Sequence, residues 1–324
     1  MEKIKFIDLF CGIGGFRVAM DEACRENNII SECVFSSDID KHCQDSYENN
    51  FGHRPTGDIT MVDPVSIPDH DILFAGFPCQ PFSIIGQMKG FDDTRGTLFF
   101  HIANILKEKK PKSFILENVK QLVGHNGGQT LKVIIKTLQD LGYHVQYSVL
   151  NALDYGLPQK RERVIIVGHR EPILFSYPLP FRPFKPLSEI LEKKVDKKHF
   201  ASEYIREKRK ESHKSAYKLS IWHENKSGNI TSYPYSCALR AGASYSYLLV
   251  NGERRLTPRE MFRLQGFPDT YKIVENDTQA RKQAGNAVPV NLVKAVILQL
   301  LPYVAVTLDM TNVLKEYELD GYSQ

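Results

Sequence analysis

Over the first 170 residues, short apolar runs with strand character alternate with segments of helical periodicity, and this alternation restricts the chain to few folds. KFIDLF reads as a strand and runs into the glycine turn CGIGG. FRVAMDEACREN then has Phe16, Ala19, Met20 and Ala23 on one helical side. ECVFSSDID is a second strand, followed by a polar helix, and HDILFAG is a third. Leu98, Ile102 and Ile105 in TLFFHIANILKEKKP are spaced for a helix that ends in lysines and stops at Pro111. SFILENV is a fourth strand, LKVIIKTLQDLG a helix closed by Gly142, and YHVQYSVLNA and RVIIVGHR are two further strands. The loop between these last two, DYGLPQKRE, is too short for a parallel crossover, so they should pair antiparallel. Strands separated by helices imply a largely parallel sheet covered on both faces.

The alternation stops near residue 170. EPILFSYPLPFRPFKP is rich in proline and aromatics, a charged run with helical segments (the first over Glu189 to Lys194) follows, and TSYPYSCALRAGASYSY has only short strand candidates. Order resumes at LTPREMFRLQGFPD, where Thr257 as N-cap, Pro258 at the first helical position and Glu260 three residues on form a capping box, with Gly266 and Pro268 as the stop. VPVNLVKAVILQLL should be a helix packing back on the first part. The expected division is therefore a domain over 1–170, completed by the C-terminal helix at about 280–324, and a smaller one with a hinge over 171–279.

Composition excludes little. The 324 residues are 42% hydrophobic and 25% charged with a net charge of +4, a balance that permits a nucleic-acid partner without requiring one. No apolar run approaches the ~18 residues of a membrane span, and no secretory signal is read, so a cytoplasmic protein is expected. The six cysteines show no CxxC spacing, which argues against a zinc site or a disulfide framework and for free thiols.

Three elements bear chemistry. Gly12, Gly14 and Gly15 after the first strand suit either a tight structural turn or a cofactor resting on backbone N–H groups. Asp38 and Asp40 stand where an acid would bind ribose hydroxyls or cap a helix. Cys79 follows the third strand between prolines at 78 and 81. A cysteine in apolar context is ordinarily a small core residue, but the prolines restrict the backbone and fix the direction of the thiol. Glu117 follows an apolar strand core, where a carboxylate either caps the next helix or becomes a proton donor through burial.

FIDLFCGIGGFR, GFPCQPFS, ENV, QKRER and GNAVPVN occur in this order, and with them the chain resembles the bacterial DNA (cytosine-5) methyltransferases of the compact HhaI type across all but about residues 171–250. The resemblance implies a Rossmann-like, S-adenosylmethionine-dependent sheet with a small, mostly irregular or β target-recognition domain. It implies double-stranded DNA as substrate, no metal, a monomer, and a cognate restriction endonuclease acting on the same site. By similarity, Cys79 attacks C6 of a flipped-out cytosine, Glu117 protonates or hydrogen-bonds N3, and Arg161 and Arg163 lie near the base. The cofactor pocket is matched by Phe16, the glycine turn, Asp38 with Ile39, Asp58 with Ile59, Pro78, Asn286 and Val288. Asp38 would take the ribose hydroxyls and Asp58 the adenine amino group. Gln80, Ser83, Arg95 and Arg240 are the expected DNA contacts, and Arg240 would meet either a guanine edge or a phosphate. The glycines at 86, 90 and 96 suit a loop that closes over the base, although Ile85 replaces the small polar residue of the HhaI type. The related tRNA enzymes share the PCQ and ENV motifs but carry a CFT signature that this chain lacks. A nicotinamide oxidoreductase would leave ENV and QKRER without a role.

Overall fold

The computed structural model describes residues 3–78, 98–180, 183–244 and 246–305. The first part contains β1 (Lys3–Leu9), α1 (Gly15–Glu26), β2 (Ile30–Ser37), α2 (Lys41–Phe51), β3 (Ile72–Gly76), α3 (Leu98–Lys109), β4 (Ser113–Val119), α4 (Gln129–Asp140), β5 (His144–Asn151), β6 (Gln159–Lys160) and β7 (Glu162–His169). Six of these strands form one sheet in the order β2-β1-β3-β4-β7-β5. The first four are mutually parallel, while β7 runs antiparallel to both β4 and β5. The short loop after β5 thus makes the antiparallel pair read from its length, with β7 inserted between β4 and β5.

Strands buried on both faces supply two cores from alternate residues. Phe6, Phe74, Ile115 and Ile165 face one layer and Ile7, Leu73, Leu116 and Ile166 the other. The first layer is covered by α1 and by the last described helix, α9 (Val290–Ala305), which lie against each other. Lys294 on α9 reaches Glu22 at 3.0 Å and Glu26 at 2.6 Å on α1. The span 277–305 is long and apolar enough to cross a membrane, but 67% of its most apolar window is buried inside the protein. The α3 helix ends before Pro111 with Lys110 at φ 47°, because the residue preceding a proline is disfavoured in the α region.

Beyond residue 170 the helices are α5 (Leu187–Ile190), α6 (Glu203–Ser212), α7 (Pro258–Leu264) and α8 (Asp277–Asn286). The strands are β8 (Ile221–Glu224), β9 (Ile230–Tyr233), β10 (Ser236–Cys237) and β11 (Leu248–Val250). The order β11-β8-β9 forms a small antiparallel sheet, and β10 pairs parallel with β6. The helix expected over Glu189 to Lys194 is instead a single turn that ends at Ile190, with extended backbone at Leu191 and few apolar residues beyond to bury. The capping box of α7 forms as read: the Glu260 amide donates to Thr257 Oγ1 at 3.2 Å, and the Thr257 amide donates to the Glu260 carboxylate at 2.9 Å. Arg254 meets the same carboxylate through two nitrogens, each at 2.8 Å. Residues 257–279, grouped with the second part by the sequence division, pack partly on the first. Tyr271 lies against Phe51, and its hydroxyl donates to the Ile13 carbonyl at 2.8 Å.

Asp8 on β1 is fully buried, and neither carboxylate oxygen has a hydrogen-bond partner. Burial drives its pKa well above 3.8, against the pull of Arg17. A raised acid pKa gives a stability contribution that is complete below the unfolded value and lost as pH rises through the folded one. Asp8→Asn should therefore raise the thermal midpoint at pH 8, with the gain shrinking as the pH falls toward 3.8. A pH series of thermal melts checks this.

Candidate active site

The site lies at the carboxyl ends of β1, β3 and β4, where strand order reverses around β1 and open α/β sheets bind their ligands. The turn after β1 has left-handed backbone at Phe10 (φ 54°), Gly12 (φ 53°) and Gly14 (φ 79°). It is confined on two sides: a Cβ on Gly14 would stand 2.4 Å from the Phe51 ring, and one on Gly15 would stand 2.6 Å from Val288 Cγ2. The turn is also tied to the end of β2. The Cys11 amide donates to the Ser37 carbonyl at 3.0 Å, and the Gly12 amide donates to Asp38 Oδ2 at 2.7 Å. Asp38 Oδ1 accepts from the Asp40 amide at 2.8 Å. Burial raises the Asp38 pKa, and the two amides oppose the rise.

Phe16 is buried and stacked on Phe74, with ring centroids 5.1 Å apart. Val288 reaches from Gly15 to Gly76, where a Cβ would meet Val288 at 3.5 Å and Glu117 Oε2 at 3.7 Å. The glycine turn, Asp38, Phe16 and Val288 are thus brought together with Glu117. Asp58 caps the 3-10 turn Ile59–Met61 and accepts from the Thr60 amide at 2.9 Å, which lowers its pKa. Ile59 belongs to the opposite core layer, whereas Ile39, Pro78 and Asn286 are exposed. A carboxylate beside a glycine turn that is confined at Gly14 and Gly15 and open at Gly12 fits a nucleoside group, because each Asp38 oxygen has a lone pair beyond the one it gives to backbone.

Glu117 ends the apolar run of β4 and forms an ion pair with Arg163 on the neighbouring β7, Oε1 to Nε at 2.6 Å, with both side chains largely buried. Beside it, Asn118 Nδ2 donates to the Phe77 carbonyl at 2.9 Å, fixing the backbone two residues before Cys79. Asn118 was not singled out as a site residue by sequence, though it stands in the ENV motif. Cys79, Gln80, Ser83, Ile85, Arg95 and the expected closing loop lie outside the described residues. Burial raises the pKa of all five described cysteines, Cys11, Cys24, Cys33, Cys43 and Cys237, that of Cys24 to about 12 and that of Cys33 to about 11. Each is therefore held as the weakly nucleophilic thiol.

Arg161 does not join Glu117. It is 2% exposed, and its guanidinium donates to the carbonyls of Leu239 (3.0 Å), Gly285 (3.1 Å) and Ala287 (2.8 Å). Its terminal nitrogens hold backbone, and burial together with the nearby Arg163 charge lowers its pKa. Gln159, another residue that sequence reasoning passed over, is fully buried; its side chain accepts from the Leu239 amide at 2.9 Å and donates to the Leu264 carbonyl at 2.9 Å. Nothing in the local pattern marks a glutamine as buried. Arg240 is exposed, with its guanidinium 4.9 Å from the Tyr247 ring centroid and its amide donating to the Tyr247 hydroxyl at 2.9 Å.

A Rossmann-like sheet thus carries an acid and a glycine turn at one edge of the site and a buried carboxylate–guanidinium pair at the other. The model of the C-5 cytosine-specific DNA methylase family matches residues 4–301, and the chain belongs to that family. The Type II methyltransferase M.NgoBI of Neisseria gonorrhoeae is 54% identical over 294 residues, covering 90% of this chain and 91% of the relative. M.HaeII of Haemophilus aegyptius is 54% identical over 299 residues (91% and 92%), and M.HhaI of Haemophilus parahaemolyticus is 42% identical over 319 residues (93% of each). Among solved structures, the S. pombe Dnmt2 methyltransferase shares the fold with a TM-score of 0.71 at 19% identity, covering 94% of this chain and 99% of that one. The protein is a DNA (cytosine-5)-methyltransferase of the HhaI type.

Proposed function

We propose that this enzyme methylates C5 of a cytosine flipped out of a short, specific double-stranded DNA sequence, through a covalent bond between Cys79 Sγ and C6, as the modification enzyme of a restriction-modification system. The observation that carries the reading is the Glu117–Arg163 pair beside the backbone leading to Cys79. S-adenosylmethionine, when bound, supplies the methyl group. The pocket proposed for it comprises Gly12, Gly14, Gly15, Phe16, Asp38 and Val288, with Ile39, Asp58, Ile59, Pro78 and Asn286 around it.

The chemistry required of the chain follows from the substrate. C5 of cytosine is a poor nucleophile, and a stacked base does not present C6 to a side chain, so the base must leave the helix. Attack by Cys79 on C6 pushes electron density toward C5 and N3, and Glu117 meets N3 by a hydrogen bond or a proton. Arg163 sets the direction of that carboxylate and adds positive charge that favours the thiolate before attack and the negative charge that builds on the base carbonyl after it. After methyl transfer, loss of the C5 proton restores the ring double bond and expels the thiolate.

The segment 171–279 is proposed to read the sequence, with Arg240 at its DNA-facing loop. Gln80, Ser83 and Arg95 are the proposed contacts around the base. A cognate endonuclease, a monomeric state and a cytoplasmic location belong to the same reading. Bisulfite sequencing of DNA from cells expressing the protein tests it: protected cytosines should share one short sequence context. Uniform conversion, or protection without a common context, contradicts it.

A further inference from the structure

The buried polar joint around Arg161 has no part in the chemistry above, and its connections run toward both the Arg240 loop and the strip beside the glycine turn. Arg161 sits between β6, which pairs with β10 of the second part, and β7, which carries Arg163. Its two terminal nitrogens hold Leu239 on one side and the strip Gly285–Ala287 on the other. Gln159 holds the amide of the same Leu239, so both backbone groups of the residue before Arg240 are fixed from the segment Gln159–Arg161 that leads into β7. The strip is also packed from two directions. A Cβ on Gly285 would stand 2.4 Å from the Ala241 nitrogen and 2.7 Å from the Arg240 carbonyl carbon, while Val288 fills the space above Gly15 and Gly76. One short segment therefore touches the Arg240 loop at one end and the glycine turn at the other.

We infer that Arg161 is a positioning residue that locks the Arg240 loop and the strip 285–288 into one arrangement, so that reading the right DNA sequence and filling the cofactor pocket favour each other. This rests on the proposed roles of Arg240 and of the glycine turn. A guanidinium suits the task because its planar fork donates in divergent directions at once. A lysine offers its donors from a single nitrogen and lacks the fixed fork that serves Leu239 from one nitrogen and Gly285 and Ala287 from the other. Coupling of this kind is reciprocal: DNA raises cofactor affinity by the factor by which cofactor raises DNA affinity.

The test is calorimetry of S-adenosylhomocysteine binding, alone and with duplex DNA carrying the methylated site or a copy altered by one base pair outside the target cytosine. It uses the unaltered protein, Arg161→Lys and Gly285→Ala, with thermal melts to establish folding. For the unaltered protein, cognate duplex should tighten binding by about tenfold, within the usual range of such coupling, and the altered duplex should do so much less. Arg161→Lys should bind S-adenosylhomocysteine more weakly even without DNA and lose the distinction between duplexes. Gly285→Ala, which pushes on the Arg240–Ala241 backbone without removing charge, should lose the same distinction. The inference is overturned if the folded variants keep the full coupling factor, or if Arg161→Lys loses turnover with cofactor binding unchanged, as a base-contacting residue would. If Arg161→Lys does not fold, Gly285→Ala decides. An unaltered protein that methylates DNA without coupling overturns the inference alone, whereas one that neither methylates DNA nor binds S-adenosylhomocysteine overturns the functional reading beneath it.

Discussion

Cys79→Ser should abolish methyl transfer, lowering turnover by at least about 10⁴-fold, the scale seen when an enzyme loses its nucleophile, while duplex binding and S-adenosylhomocysteine binding persist. The five described cysteines are held as thiols by burial and cannot take over. Serine keeps the shape, but its hydroxyl is far more weakly acidic than a thiol, and attack on C6 needs the anion or its near equivalent. Single-turnover transfer of labelled methyl groups, with binding measured in parallel, checks the split. Measurable turnover near the unaltered rate would remove Cys79 from the mechanism.

The second large effect belongs to Glu117. Glu117→Gln keeps the size of the side chain but cannot deliver a proton to N3 and breaks the ion pair with Arg163, which is 2.6 Å away. Turnover should fall by about 10²–10⁴-fold, the usual worth of a positioned proton-transfer group, with cofactor affinity little changed. Arg163→Ala should fall in the same direction, and the double variant should be much less impaired than the product of the two, because the residues act as one unit. Rate measurements on the three variants close the cycle. Multiplicative effects would mean that Arg163 serves the base or a phosphate independently of Glu117.

What could be read from sequence follows from how local each determinant is. The order of the six sheet strands and their helices up to β7 was legible because the central strands are continuously apolar and their helices are not, whereas the two-residue β6 lay hidden in the stretch read as a loop. Glu117 was legible because a carboxylate directly after such a run stands at a strand end. The helix α8 was not: its buried residues are Ala280, Gln283, Ala284 and Gly285, too small or too polar to make an apolar stripe. The direction of Arg161 was equally hidden. In an unbroken strand Arg161 and Arg163 would share a face, but the chain changes partners between them, Gln159 and Lys160 pairing with β10 and Glu162 onward with β5 and then β4. The pleat rule fails at that joint, and one arginine turns to Glu117 while the other ties the parts of the molecule together.

The central claim is the covalent step, and it is tested most directly by incubating the protein and S-adenosylmethionine with a duplex whose target cytosine carries fluorine at C5. Fluorine replaces the proton that must leave, so a denaturation-resistant complex should accumulate, and peptide mass spectrometry should locate the modified base on Cys79. Absence of a stable complex under conditions where ordinary duplex is methylated, or attachment to any other residue, would contradict the account.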